Sequence, residues 1–271
     1  MRGRGLFTTA VIVLALAAAT ASAHFYTYWP DSPNGYGQLG REVQWECFWG
    51  HPYEKIIFDT AEPEAFAALP DGERQDLTVT PVKREDPATG EMRSTFTFSH
   101  VPEQLGDAWI VVAAPPILVE EEGEFVQDYV KQCLHVMVEK GWDRPVGLPI
   151  EIVPLTRPYG LEPGFVFKGR LLLDGEPLAD AHVEIEQMNA FYVGEEDLPR
   201  DQFGMEDVPM ITRTARTDAN GYVTCTLDEP GWWIVCASTE SGTLEAEGEQ
   251  LPRVLRGGLW VHVEEEFSVR P

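Results

Sequence analysis

Positive charge is what this 271-residue chain has least of. Twenty Lys and Arg stand against 45 Asp and Glu, a formal net charge of −25. A field of that sign repels nucleic acid and anionic lipid and draws in cations. Cysteine is scarce too: there are four, and none falls in a C-x-x-C pair. That excludes the local zinc-ribbon and dithiol redox motifs. Beyond residue 23 no apolar run approaches the roughly 18 residues that span a bilayer. Helical periodicity is nearly missing. There is no Walker loop, no G-x-S-x-G and no H-E-x-x-H, so the sequence gives an enzyme no positive support. A G-x-G-x-x-G does occur, from Gly35 to Gly40, but "REVQWECFW" after it alternates as a strand. A pyrophosphate would find no helix N-terminus there. The acidic runs Glu120–Glu122, Glu195–Asp197 and Glu264–Glu266 lack the spacing and glycine of a calcium loop and read as solvated surface.

Residues 1–23 carry Arg2 and Arg4, then an apolar stretch, then Ala21-Ser22-Ala23. This is the pattern of a secretory signal peptide cleaved after Ala23. The mature chain is expected in the periplasm, with no integral membrane anchor, as a monomer. An even cysteine count in an exported chain favours disulfides. Cys225 and Cys236 flank "TLDEPGWWIV", a strand–turn–strand segment, and Cys47 with Cys133 forms the second expected pair.

What fills the chain is short alternating or apolar runs between Pro, Gly and Asp/Asn punctuation, the all-β pattern. Strands are expected at 24–29, 41–49, 77–82, 93–99, 108–114 and 126–138, then at 150–154, 165–173, 181–188, 210–216, 221–227, 232–238 and 258–263. "EPEAFAAL" at 62–69 is the best helix candidate, and 190–209 reads as a long loop. The Pro- and Gly-rich segment 141–164 marks a connection. The expected architecture is two β-sandwiches. Residues 24–148 form an Ig-like N-terminal one bearing a metal site. Residues 149–271 form a C-terminal one like transthyretin (prealbumin) or the regulatory domain of carboxypeptidases, with turns at Asp174-Gly175, Asn220-Gly221 and Pro230-Gly231.

The six histidines are His24, His51, His100, His135, His182 and His262, and no two are closer than 27 positions. Any metal site must therefore be assembled by the fold. His24 stands apart chemically. After cleavage it would carry an α-amine and an imidazole on one residue. The amine titrates near 7.7–8.0 and the imidazole near about 6.5, so both can be neutral donors at mild pH. Amine nitrogen and Nδ1 close a six-membered chelate ring, and further histidine nitrogens complete a tetragonal set suited to Ni(II) or Cu(II). His51 ends an apolar strand. His135 and His262 lie within strands. His100 and His182 are left to structural roles.

"AHF" at 23–25, "HPYE" at 51–54, "GWDRPVGLPIEIVPLTRPYGLEPGFVFKGRLLLDGEPLADAHVEIE" at 141–186, "TDANGYVTCTLDEPGWWIVCAS" and "GGLWVHVE" resemble the exported nickel-uptake accessory proteins. These are the NikK-type periplasmic components that accompany energy-coupling-factor (ECF) nickel transporters. The resemblance implies a non-enzymatic protein that captures Ni(II) or Co(II) for a membrane-embedded nickel/cobalt transporter. It implies His24 and His51 as ligands; among the remaining histidines His135 and His262 are the next candidates, with little to separate them. Many members carry a "PYWEP" segment followed by "HYTK". Here that region reads "PPILVEEEGEFVQDYVK", and Asp128 stands where the histidine would be. That ligand is replaced by Asp128, supplied by His135, or absent.

Two other readings share the residues. One is a copper site of the histidine-brace kind, built on the same chelate. The other is a carbohydrate-binding or adhesive sandwich with Trp29, Trp45, Trp49, Trp232 and Trp233 as platforms, although tryptophans more often pack in cores.

Overall fold

The computed structural model describes residues 24–32, 34–189, 191–206 and 208–265. The expected signal peptide lies outside the described residues. The chain is nearly all β, as the punctuation predicts. In order it forms β1 (Phe25–Pro30), β2 (Val43–His51), β3 (Ile56–Phe58), β4 (Glu64–Ala68), β5 (Arg74–Leu77) and β6 (Thr80–Glu85). Then come β7 (Met92–His100), β8 (Gly106–Ala113), β9 (Ile117–Val119), β10 (Glu124–Val136), β11 (Ile150–Pro154) and β12 (Phe165–Leu173). β13 (Glu176–Pro177) and β14 (His182–Gln187) precede a long loop holding one 3-10 turn (Glu195–Asp197) and ending in α1 (Val208–Ile211). β15 (Thr212–Arg216), β16 (Tyr222–Leu227), β17 (Gly231–Ala246) and β18 (Glu249–Val263) complete the chain.

The strands make three sheets. The first runs β1-β2-β7-β6, with β3 beside β2. The central one has nine strands, β15-β14-β17-β18-β10-β8-β4-β5, with β9 on β10. The third runs β11-β12-β13, with β16 on β12. The expected line between residues 148 and 149 falls between β10 and β11, and strands from both sides of it share the central sheet. β10 and β18 lie side by side there, and in parallel. One apolar core, including Tyr26, Tyr28, Trp45 and Phe98, fills the space between the first sheet and one face of the central sheet. A second, including Ile152, Phe167, Trp109 and Val261, lies between the other face and the third sheet. The central strands are therefore buried on both faces. β8 and the end of β18 read as continuous apolar runs, whereas β2 starts by alternating.

Two expectations are corrected. "EPEAFAAL" forms a strand, not a helix: β4 lies between β8 and β5. Ala65 and Ala67 pack in the first core, Phe66 and Ala68 in the second. Burial on both faces overrides the local helix preference of Ala and Glu. The four cysteines are free, not bridged. Cys47 and Cys236 belong to the first core, and Cys133 to the second, with Cys225 packed against that second core. Each expected pair is thus divided between opposite faces of the central sheet. The turn at Asp174-Gly175 is as expected, with φ of 49° and 82°, the left-handed pair of a tight hairpin.

One glycine fixes the edge of the first sheet. Gly50 pairs with Phe25 on one side and Ile57 on the other. A Cβ there would stand 1.9 Å from the Ile56 carbonyl oxygen. Gly50→Ala is expected to lower the melting temperature, at a cost of about 1–3 kcal/mol or more from overpacking against backbone. Thermal unfolding followed by circular dichroism checks it, and an unchanged midpoint would refute the close approach.

Candidate metal centre

The register of β1 on β2 decides what meets at the edge. Phe25 lies opposite Gly50 in an antiparallel ladder, so the next pair outward is His24 with His51. The rings are 4.2 Å apart between centroids and tilted by 48°. Trp49 stacks on His24 at 5.0 Å, and Phe58 of β3 meets the edge of both imidazoles, at 4.8 and 5.7 Å. The short strand β3 is thus a wall of the site.

Burial dominates the electrostatics here. It lowers the His24 imidazole to about 3, with help from His51 and Arg256. It lowers His51 to about 4. Both rings are therefore neutral at mild pH, each with a lone pair for a metal or a proton. His51 sits at the head of a tight turn. Lys55 closes that turn at φ 57°. The Tyr53 amide donates to Glu186 Oε1 at 3.1 Å, and the Asn189 amide donates to the Pro52 carbonyl at 3.2 Å. Glu186 is fully buried and also accepts from the Thr212 hydroxyl at 2.7 Å. Burial, then the nearby Glu54, pushes its carboxyl well above the ordinary range. Residues 133 and 137 positions further along the chain thus hold the His51 turn.

Asp128 is committed elsewhere. Arg256 donates to both its oxygens, at 2.6 and 2.9 Å, and the Tyr26 amide donates to Oδ2 at 3.3 Å. Both partners are buried. Asp128, one of the three expected fates of the missing ligand, is half of a buried ion pair and is not turned to His24 and His51.

The structure does not bring His135 or His262 to His24. His135 lies seven residues along β10 from Asp128, about 23 Å at strand rise. Its Nδ1 is 2.6 Å from Asp107 Oδ1, which also accepts from the Tyr159 hydroxyl at 2.9 Å, and its ring stacks on Tyr159 at 4.3 Å. His262 lies six residues along β18 from Arg256, about 20 Å by the same rise. It packs against Trp232 at 4.9 Å, on the first-core side of the sheet, while Tyr159 belongs to the second. Among the described residues no group of three or more His, Cys, Asp or Glu side chains is arranged to hold a metal ion. The centre is a pair of imidazoles, to which a processed amino terminus would add its nitrogen. His100 is buried beside Val43 in the β2–β7 ladder. His182 faces Glu184, which raises its pKa. Trp45, Trp49, Trp232 and Trp233 are buried and offer a sugar no open face. The Trp29 side chain lies outside the described ones.

Residues 21–241 match DUF4198, a domain of unknown function. The chain belongs to that family. No curated protein matches this DUF4198 chain. It is similar to a solved DUF4785 family protein from Legionella pneumophila, at 8% identity and a TM-score of 0.33, over 81% of this chain and 53% of that one. The chain thus spans about half the length of that protein. It is also similar to the D0-D1 domain of intimin, at 11% identity and a TM-score of 0.22, over 88% of this chain and 98% of that one. A mutant alpha-2-macroglobulin of Salmonella aligns at 14% identity and a TM-score of 0.25, over 93% of this chain and 16% of that one. At these scores none informs the function. No helix among the described residues is long and apolar enough to cross a membrane.

Glu54, Glu186 and Phe58 were not singled out as site residues by sequence. "HPYE" contains Glu54, but nothing local says that its turn folds back on β2.

Two outcomes are expected. In the metal-free protein, unfolded imidazoles near 6.5 take up protons before the folded ones at about 3 and about 4. Stability should therefore fall as pH drops from about 7 to about 5, and a His24→Asn/His51→Asn double variant should flatten that slope in urea unfolding. Separately, Asp128→Ala leaves Arg256 buried without its partner and should cost about 3–5 kcal/mol. Chemical denaturation measures this, and a loss under about 1 kcal/mol would show that water already screens the pair.

Proposed function

We propose that this DUF4198 protein is an exported, periplasmic metal-capture protein that binds Ni(II) or Co(II) and delivers it to a membrane-embedded transporter of the ECF type, without catalysing a reaction. The observation that carries the reading is the His24–His51 pair, two neutral imidazoles 4.2 Å apart in an aromatic recess. Cleavage after Ala23 would place an α-amine on the first of them. Amine and imidazole nitrogens suit borderline divalent ions. The net charge of −25 would raise the local concentration of cations and speed their encounter, while selectivity comes from the nitrogen donors.

Protons compete differently for the donors. The amine competes below about 8, whereas the imidazoles compete only near about 3 and about 4. Between about pH 5 and 7, affinity should therefore fall by about tenfold per pH unit, the slope of one displaced proton.

Titration calorimetry on the mature chain beginning at His24 tests the reading. Ni(II) should bind at one equivalent. His24→Ala and His51→Ala should each weaken it by more than about a hundredfold, beyond what loss of a supporting residue costs. One extra residue ahead of His24 should remove most of the affinity, and His135→Gln and His262→Gln should leave it unchanged. Ni(II) affinity indifferent to His24 and His51 would overturn the assignment. Retention of Cu(II) through purification, with Ni(II) excluded, would favour the copper reading of the same chelate.

A further inference from the structure

We propose that Glu54 is the carboxylate ligand of this centre, which makes its cargo a borderline divalent cation held by nitrogens and one oxygen rather than soft Cu(I). This rests on the reading of His24 and His51 as metal ligands.

The argument begins with unmet polar atoms. Glu54 is 9% exposed, and its Oε2 has no hydrogen-bond partner. His51 Nδ1 is buried and also has none, and neither does the Nε1 of Trp49, whose ring stacks on His24. Buried carboxylates and imidazoles are almost always satisfied, and each exception asks for a cause. Here the carboxylate oxygen and the ring nitrogen face one another at 3.9 Å. That is too long for a hydrogen bond. It is a separation that two ligands of one ion close by a small side-chain rotation, since such ions sit about 2.0–2.2 Å from nitrogen and oxygen donors. Burial without a partner costs about 1–3 kcal/mol for a neutral polar group and more for a charged one. An ion between the two atoms removes that cost at both ends.

The backbone supports the same conclusion. Glu54 is three residues after His51, on the turn that Glu186 and Asn189 hold from the far side. The Glu54 carboxylate therefore needs only a side-chain rotation to close on His51, since its oxygen already stands 3.9 Å from Nδ1. Gly50 lets Ile56 return directly against β2, which keeps the turn short and Glu54 near His51. The resulting set is two imidazoles, an α-amine and one carboxylate. A carboxylate is a hard donor that adds affinity for Ni(II), Co(II) and Cu(II) and little for Cu(I), which favours thiolate and thioether sulfur.

The test measures Glu54→Gln and Glu54→Asp in the mature chain by competition with a chromophoric chelator. Ni(II) is the divalent probe, and copper kept reduced by ascorbate is the monovalent one. Glu54→Gln should weaken Ni(II) binding by about 10–100-fold and shift the visible absorption of the Ni(II) complex. Cu(I) affinity should stay within about twofold, and the melting temperature of the metal-free protein should not fall. Glu54→Asp keeps the charge and shortens the reach. It should weaken Ni(II) less than Gln does while still altering the spectrum, and it serves as the test where the Gln variant fails to fold. Wild-type affinity and an unchanged spectrum in the folded variant would overturn the role of Glu54 while leaving the histidine site standing. A wild-type protein that binds no Ni(II) would overturn both.

Discussion

The buried pair of Asp128 and Arg256 ties together the strands beneath the candidate site. β10 and β18 are parallel neighbours, and these two side chains sit opposite one another in that register. The same carboxylate receives the Tyr26 amide, and the Arg256 guanidinium lies 5.5 Å over the Phe25 ring. One ion pair thus joins the early, middle and late parts of the chain and seats β1 on the central sheet. Replaced as a unit by apolar side chains, such a pair can be neutral for stability. What it supplies here is register. If β1 slipped by one residue on β2, every side chain would change face, and His24 would no longer stand opposite His51.

The site then follows from the edge of the first sheet. Gly50 is bare because the returning backbone at Ile56 and Ile57 presses on it, and the turn after it must come straight back. Trp49 and Phe58 wall the recess, and their bulk removes water from both imidazoles. The charge of Arg256 adds to that effect at His24. The ion pair that seats the strand therefore also helps hold the nearer ring neutral. A neutral imidazole is a ligand, and a protonated one is not. Structural support and chemical readiness thus share one cause at this edge.

Most of the strand set was legible because alternation and turn residues act locally. Asp174-Gly175 forms a hairpin for reasons contained in two residues. The pairing of strands was not legible. β10 beside β18 joins residues 128 positions apart, and nothing near either one announces the other. β4 failed for a related reason. Alanines at consecutive positions fit a strand only when both faces are covered, and the cover comes from elsewhere. At the site, His24 and His51 were singled out by chemistry and by a position at a strand end. Their adjacency needed the β1–β2 register, and Glu54 needed the turn that returns to β3. The expected disulfides failed because spacing along the chain says nothing about which face of a sheet a thiol occupies.

His135 and His262 show why histidine type alone cannot define a centre in a β protein. The Nδ1 of His135 faces Asp107, which is fully buried and also receives the Lys140 amide at 2.6 Å and the Tyr159 hydroxyl. That network ties the end of β10 to the connection leading into β11, and it fixes the ring through its Nδ1. His262 lies against Trp232, with its backbone amide donating to the Pro158 carbonyl at 3.3 Å. Its ring Nδ1 is buried without a hydrogen-bond partner, with Glu264 Oε1 3.7 Å away. The Nδ1 of His51 is in the same state, with Glu54 Oε2 3.9 Å away, but a second imidazole stands 4.2 Å from its ring. An unsatisfied nitrogen is therefore not enough by itself, and a second imidazole beside it, which His262 lacks among its described ring neighbours, is what sets the His51 edge apart.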